Sequence, residues 1–328
     1  MTRTPETEPE EKKPSGRRIA IITTVVLFVV IAISIVVGLY VSVWKDLWSP
    51  IIIVNDEAIN MDYVIRRMKY VEKTNDVLAM LETLTEEEFI RQGASRYNIE
   101  VTPDEIDEIL RDIGRGENET ISESEFKEWY RNALNETQLS DTEYRERLCT
   151  NLVAYQLHEY LAVRVPTAAE QVHLYIIFLT SFEDTEAAIT RIEDGEDFSE
   201  VARELSIDEE TTEQGGDAGW WPVGGGLHLN IEWVAFDLLE IGQVSDPILI
   251  DEEGDIYAIC LVTERQLARE IEEDKLTVLK NGVLQEWLDI ERANSTITFG
   301  GMDWSEVEQR YVFGSKTSAW ISLQLAKE

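Results

Sequence analysis

Cysteine, histidine and basic residues are scarce in this chain, and each scarcity removes a class of chemistry. Among 328 residues there are two cysteines and three histidines. Cys149 and Cys260 are too few for a disulfide framework; one bridge in an oxidising compartment and two isolated thiols both remain open. His158, His173 and His228 are scattered, and no Cys/His spacing has the form of a zinc site. Lys and Arg number 29 against 65 Asp and Glu, giving a net charge of −36 and a pI near 4.3. Nucleic acid is therefore excluded as a partner, because binding its phosphates needs clustered Lys and Arg. No Lys or Arg lies between Arg203 and Arg265. A glycine-rich stretch inside that interval consequently lacks the lysine expected of a phosphate cradle. The acidic excess reads first as a solvated surface that keeps the chain soluble.

Hydrophobic residues make up 44% of the chain, enough for a folded core, and the length leaves room for about two domains. One apolar run stands apart. Residues 19–44, IAIITTVVLFVVIAISIVVGLYVSVW, carry no charge. As a helix this run would extend about 39 Å, sufficient to cross a bilayer with some tilt and longer than the apolar part of a signal peptide. Lys12, Lys13, Arg17 and Arg18 precede it, and only Lys45 follows closely. The positive-inside rule then leaves the N-terminus in the cytoplasm and everything after the run outside. Tyr40, Trp44 and Trp48 suit the far interface, and residues 1–18, rich in Pro, Glu and Thr, read as a disordered tail.

After the run, Ile51–Val54 reads as a short strand turning at Asn55-Asp56-Glu57. Four amphipathic helices are expected next. The first runs from Thr85 to Tyr97, with Thr85 as cap and Glu88 as capping-box partner. The second begins at Thr102-Pro103, with proline in the first helical position. The third spans Ser122–Leu134, and the fourth spans Ser140–Val163 with a Ser140/Glu143 capping box. The pattern then changes. Val172–Leu179 is an apolar strand, Thr185–Asp194 and Phe198–Leu205 are helices, and a further helix is expected near Ile231–Leu239. Pro247–Ile250 and Ile256–Val262 read as closing strands. Leu267–Ala293 is a long helical pattern around Trp287, Ser295–Phe299 a candidate strand, and residues 298–328 carry no assignable pattern.

At the centre lies Gln214–Phe236, QGGDAGWWPVGGGLHLNIEWVAF, where glycines permit a sharp bend and tryptophans place large apolar faces beside it. With Gly195, Phe198, Ala202, Ser206 and Asp208 upstream, and Leu238, Gly242, Val244, Ser245 and Pro247 downstream, this stretch resembles the parvulin (PpiC-type) peptidyl-prolyl isomerases. The likeness covers about residues 168–266. It implies an α+β domain with a four-stranded antiparallel sheet. The opening VNDEAI resembles that of SurA-like and PrsA-like foldases, with Asp56 where a glycine is usual. That implies a mainly α-helical chaperone lobe over 48–166, into which the parvulin domain is inserted, and a helix over 267–297 returning to the lobe by Trp287.

The resemblance further implies isomerisation of X-Pro bonds in unfolded or extended exported polypeptides, with no cofactor and no metal. The acidic surface would then attract basic clients. Asp208 matches the family's Cys-or-Asp position, and Ala218, Trp221, Leu227, Ile231 and Phe236 match its proline pocket. The family's two histidine positions fall on Ile176 and on Ala258, or Ile256 in an alternative register. His173 stands three residues early and, by strand alternation, on the opposite face, so it is expected to be peripheral. His228 is expected to be an exposed loop residue. Two functions follow: a membrane-anchored peptidyl-prolyl isomerase resting on the pocket and Asp208, or a non-enzymatic chaperone that only binds extended segments. Oligomeric state is left open.

Overall fold

β-Branched and aromatic residues crowd Ala168–Leu179 (β3) and Ile256–Glu270 (β6), and these two long strands pair antiparallel from Leu179↔Tyr257 to Ala168↔Glu270. Asp217–Pro222 (β4) and Ile248–Asp251 (β5) flank them, in the order β4-β3-β6-β5. The structure is a computed structural model that describes residues 16–39, 50–300, 302–305, 310–313, 321–323 and 325–326.

The chain divides into two units, 90–106 with 147–294, and the described parts of 1–89, 107–146 and 295–328. The first of these carries the sheet. Both of its faces are buried. One packs Val172, Leu174, Ile176, Ala258, Cys260 and Val262 against Ile231, Ala235 and Ile248. The other packs Ile177, Leu179 and Ile259 against Ala188, Phe198, Val201 and Ala202. The long helix Glu273–Asn294 belongs to the same unit. Its Trp287 is buried, donates from Nε1 to Tyr97 Oη at 3.1 Å, and lies so close to Gly93 that a Cβ there would meet the indole at 2.5 Å.

In the second unit, Pro50–Val54 (β1) pairs with Glu57–Asn60 (β2) and with Ile297–Phe299 (β7). The left-handed residue of the β1–β2 turn is Asn55 (φ +56°), not Asp56. Asn55 is held there by bonds with Thr296: its N–H donates to Thr296 O at 2.8 Å, and its Oδ1 accepts from Thr296 N at 3.1 Å. Arg67, 1% exposed, donates to Glu87 through both guanidinium nitrogens at 2.9 and 2.8 Å, to Glu72 at 3.0 Å and to Tyr63 Oη at 3.0 Å. Within 298–328, Met302–Ser305 (β8) and Arg310–Phe313 (β9) pair with Trp304 opposite Tyr311.

The helix expected to start at Thr85 instead runs Val77–Gly93. Asp76 Oδ1 accepts from Ala79 N at 3.1 Å at its true start, while buried Thr85 donates its hydroxyl back to Leu81 O at 2.7 Å. A hydroxyl satisfied inside a helix gives no cap, and the apolar residues from Val77 to Leu84 extend the buried stripe backward. The other starts follow their capping residues. Pro103–Arg115 begins after Thr102, Glu123–Thr137 after a Ser122/Glu125 box, and Asp141–Ala162 after Ser140, whose Oγ accepts from Glu143 N at 3.2 Å. A helix also covers Gly16–Leu39, but Tyr40, Trp44 and Trp48 lie outside the described residues. Among the described residues no helix is long and apolar enough to cross a membrane, so the span expected over 19–44 remains an expectation of the sequence.

Candidate active site

The strand alternation of β3 sorts the site residues. Val172, Leu174 and Ile176 look toward the helix Leu229–Trp233 and the π-helical turn Val234–Leu238 that continues it. His173 and Tyr175 lie with Trp220 on the other side, their rings meeting edge to face at 5.6 and 5.2 Å from His173.

On the helix-covered side, Ile231 is fully buried while Ala218, Trp221, Leu227 and Phe236 pack half-buried around the same cluster. They form an apolar wall with Ile231 as its floor. Trp221 is fixed by a 2.7 Å bond from Nε1 to Ala218 O. Two cations flank the wall. Lys275, largely buried, holds Nζ 4.6 Å from the Trp221 ring and pairs with Glu272 at 2.6 Å. Arg265 lies 5.7 Å from the Phe236 ring and donates to the carbonyls of Ala235 at 3.0 Å and Phe236 at 3.2 Å. The carbonyls bonded by Arg265 are those a π-helical turn leaves short of partners. Sequence reasoning missed both cations. Arg265 was visible only as the end of a stretch without bases, and Lys275 lies beyond the region of resemblance.

Ile176 (3% exposed) and Ala258 (0%), the positions at which the sequence resemblance leads one to expect histidine, sit inside this cluster with side chains that neither hydrogen-bond nor face solvent. Ile176 pairs across the sheet with Cys260, and Ala258 with Phe178. Burial pushes the Cys260 thiol up to about 11, which leaves it neutral and unreactive.

Asp208 caps the short helix Glu209–Thr212. Its Oδ2 accepts from Thr211 N at 3.0 Å and from Thr211 Oγ1 at 2.5 Å. One carboxylate oxygen thus serves the local turn. The glycines that follow have specific uses. Gly216 (φ +83°) approaches so closely that a Cβ would stand 2.9 Å from Ile176 O and 3.0 Å from the Ala202 Cβ, and its own carbonyl accepts from Ile176 N at 2.7 Å.

His173 ties three strands together. Nδ1 meets Thr263 Oγ1 at 2.9 Å on β6, and Nε2 meets Asp217 Oδ1 at 3.3 Å on β4. The same Asp217 oxygen accepts from Gly219 N at 2.9 Å. His173 is half-buried and turned away from the wall. His228 is exposed at the start of its helix, where Nδ1 accepts from Asn230 N at 3.3 Å. Among the described residues no group of three His, Cys, Asp or Glu could hold a metal ion.

A four-stranded antiparallel sheet, helices on both faces, and a glycine–tryptophan turn feeding an apolar wall define a parvulin-type domain. Residues 182–264 match the family model of the PPIC-type PPIase domain, so this part of the chain is similar to the parvulin class. Similar curated proteins include the foldase protein PrsA of Oceanobacillus iheyensis, 28% identical over 66% of this chain and 69% of that protein. The periplasmic chaperone PpiD of Haemophilus influenzae is 34% identical over 29% of this chain but only 14% of that protein. PrsA of Halalkalibacterium halodurans is likewise matched over only 28% of its length, at 35% identity. A solved structure of the peptidylprolyl isomerase PrsA from Bacillus anthracis aligns with 75% of this chain and 95% of its own at 18% identity, with a TM-score of 0.35.

Proposed function

We propose that this chain is a peptidyl-prolyl cis–trans isomerase of the parvulin class that assists folding of exported polypeptides, held at the cell membrane by residues 19–44 with its folded units outside. The observation that carries the reading is the wall: Ala218, Trp221, Leu227 and Phe236 stay partly open around a buried Ile231. An X-Pro bond resists rotation by about 18–20 kcal/mol because of C–N resonance, while its two isomers differ by only about 0.5–1 kcal/mol. A catalyst therefore need only favour the twisted state, in which the resonance and its charge separation are lost. Seating the proline ring on Trp221 and Phe236 removes water from the amide, and that favours the less polar twisted form. No covalent step or metal enters. Asp208 is the proposed polar group at the site, acting through the turn that it caps.

A second reading, a non-enzymatic chaperone, is supported by the apolar, buried side chains of Ile176 and Ala258, which offer the wall no hydrogen bond at the positions we assign to the family's histidines. A proline-tetrapeptide isomerisation assay on the full-length chain separates the two. The isomerase reading expects a rate above buffer that falls at least about tenfold in Trp221→Ala, equivalent to about 1.4 kcal/mol of transition-state stabilisation. A rate equal to buffer in the wild type, unchanged by Asp208→Ala, removes it in favour of the chaperone.

A further inference from the structure

The helix that floors the wall has a second apolar side. Ile231 and Ala235, four residues apart, point into the sheet, while Leu229, Trp233 and Leu238 are exposed by 77%, 58% and 53%. Large exposed apolar side chains that cluster need an explanation that scattered ones do not. Between this side and the segment leading into β5 lies a cleft of about 520 Å³, bounded by Trp233, Leu238, Pro247 and Leu249. That volume falls in the range of pockets that take a few side chains or a small ligand. The cleft has one ionisable residue, Asp246, which is exposed and makes no ion pair among the described residues. The whole interval between Arg203 and Arg265 lacks Lys and Arg, while Asp237 and Glu240 stand exposed beside the cleft. β5 is an edge strand, yet Asn230 Nδ2 already donates to Leu249 O at 2.8 Å. Recognition there falls to side chains rather than to strand addition.

We propose that this cleft is a second polypeptide-binding site, separate from the proline wall, which takes an apolar segment carrying Lys or Arg and does not require proline. The proposal rests on the reading of the chain as a foldase for unfolded polypeptides. The apolar side chains of the segment fill the cleft against Leu238, Pro247 and Leu249. Its cation meets the Asp246 carboxylate and the open face of the Trp233 indole, both of which attract positive charge.

The test is a fluorescence-anisotropy titration of the full-length chain in detergent with a fluorescein-labelled, proline-free nonapeptide of Leu, Val and Lys, beside a twin in which Glu replaces every Lys. The Lys peptide is expected to bind at least about tenfold more tightly than the Glu twin, the equivalent of about 1.4 kcal/mol. Trp233→Ala and Asp246→Asn, both at exposed positions, should each weaken it about fivefold or more, whereas Leu267→Ala on the exposed end of β6 should leave it unchanged. Equal binding of the two peptides overturns the proposal. So does affinity unchanged in both Trp233→Ala and Asp246→Asn, since adhesion to the acidic surface at large would give that result. Isomerisation of a proline tetrapeptide, measured on the same variants, keeps the two readings apart. Rotation retained with peptide binding absent sinks the cleft alone, and binding retained with rotation absent sinks the isomerase alone.

Discussion

Gly216→Ala is expected to unfasten the centre of the sheet. Two effects act together. At φ +83° an L-residue meets its own carbonyl, a penalty of about 1–2 kcal/mol. The new methyl would also stand 2.9 Å from the Ile176 carbonyl oxygen, 3.0 Å from the Ala202 Cβ and 3.3 Å from the Phe198 ring. None of these is the loose end of a flexible chain, so relief requires moving β3 or the helix Phe198–Leu205, which costs about 1–3 kcal/mol. The reduced freedom of the unfolded alanine chain returns about 0.4–1 kcal/mol. The net is a loss of about 2–4 kcal/mol. Gly219→Ala is the control, because its φ of +75° is equally unfavourable while nothing lies within 4 Å of the added methyl. It should lose only about 1 kcal/mol, the backbone part alone. Native-state hydrogen exchange of peptides covering Val172–Leu179 reads the difference where it arises, without assuming that the two units unfold together. Protection of β3 should drop about 30- to 700-fold in Gly216→Ala. The same drop in both variants, or one below about threefold in Gly216→Ala, would refute the close-approach argument.

Arg67→Ala should destabilise the other unit by about 3–5 kcal/mol, read by thermal unfolding, because Glu87 loses both bonds of a buried pair. Trp287→Ala should cost about 3–5 kcal/mol in chemical denaturation, through the lost indole volume and the empty space left beside Gly93. Cys260 should resist iodoacetamide at pH 8 in the native chain. Its thiol also sets a sign for the pH dependence: burial raises it to about 11, so the native state keeps the proton while the unfolded thiol ionises near its ordinary value. Stability therefore falls as pH rises through that ordinary value toward the native one. Wild type should lose about 1–2 kcal/mol more between pH 8 and 10 than Cys260→Ala, measured by urea denaturation at both pH values.

Local signals carried most of the architecture. Capping residues at Thr102, Ser122 and Ser140 marked helix starts because a cap acts within a few residues of itself. The apolar strands around Ile176 and Ile259, and the glycine–tryptophan turn, marked the sheet for the same reason: period and turn chemistry are read along the chain. The misreading at Thr85 shows where that logic stops. Thr85 and Asp76 are both competent caps, and only the burial of Thr85 against its own helix decides between them. Left-handed Asn55 needed Thr296, a residue remote in sequence, to hold it.

The sequence by itself determined the class of domain, the composition of the apolar wall and the absence of a hydrogen-bonding side chain at residues 176 and 258, because these depend on residue identity in order along the chain. Tertiary structure alone decided that those two residues are sealed in the core. It also decided that Lys275 reaches the Trp221 ring from a helix beyond the matched domain, that His173 stitches β3 to β4 and β6, and that Trp233 is left bare beside a cleft. Each of these is a distance between residues far apart in sequence, and such distances are set only when the strands choose their neighbours and the helices pack.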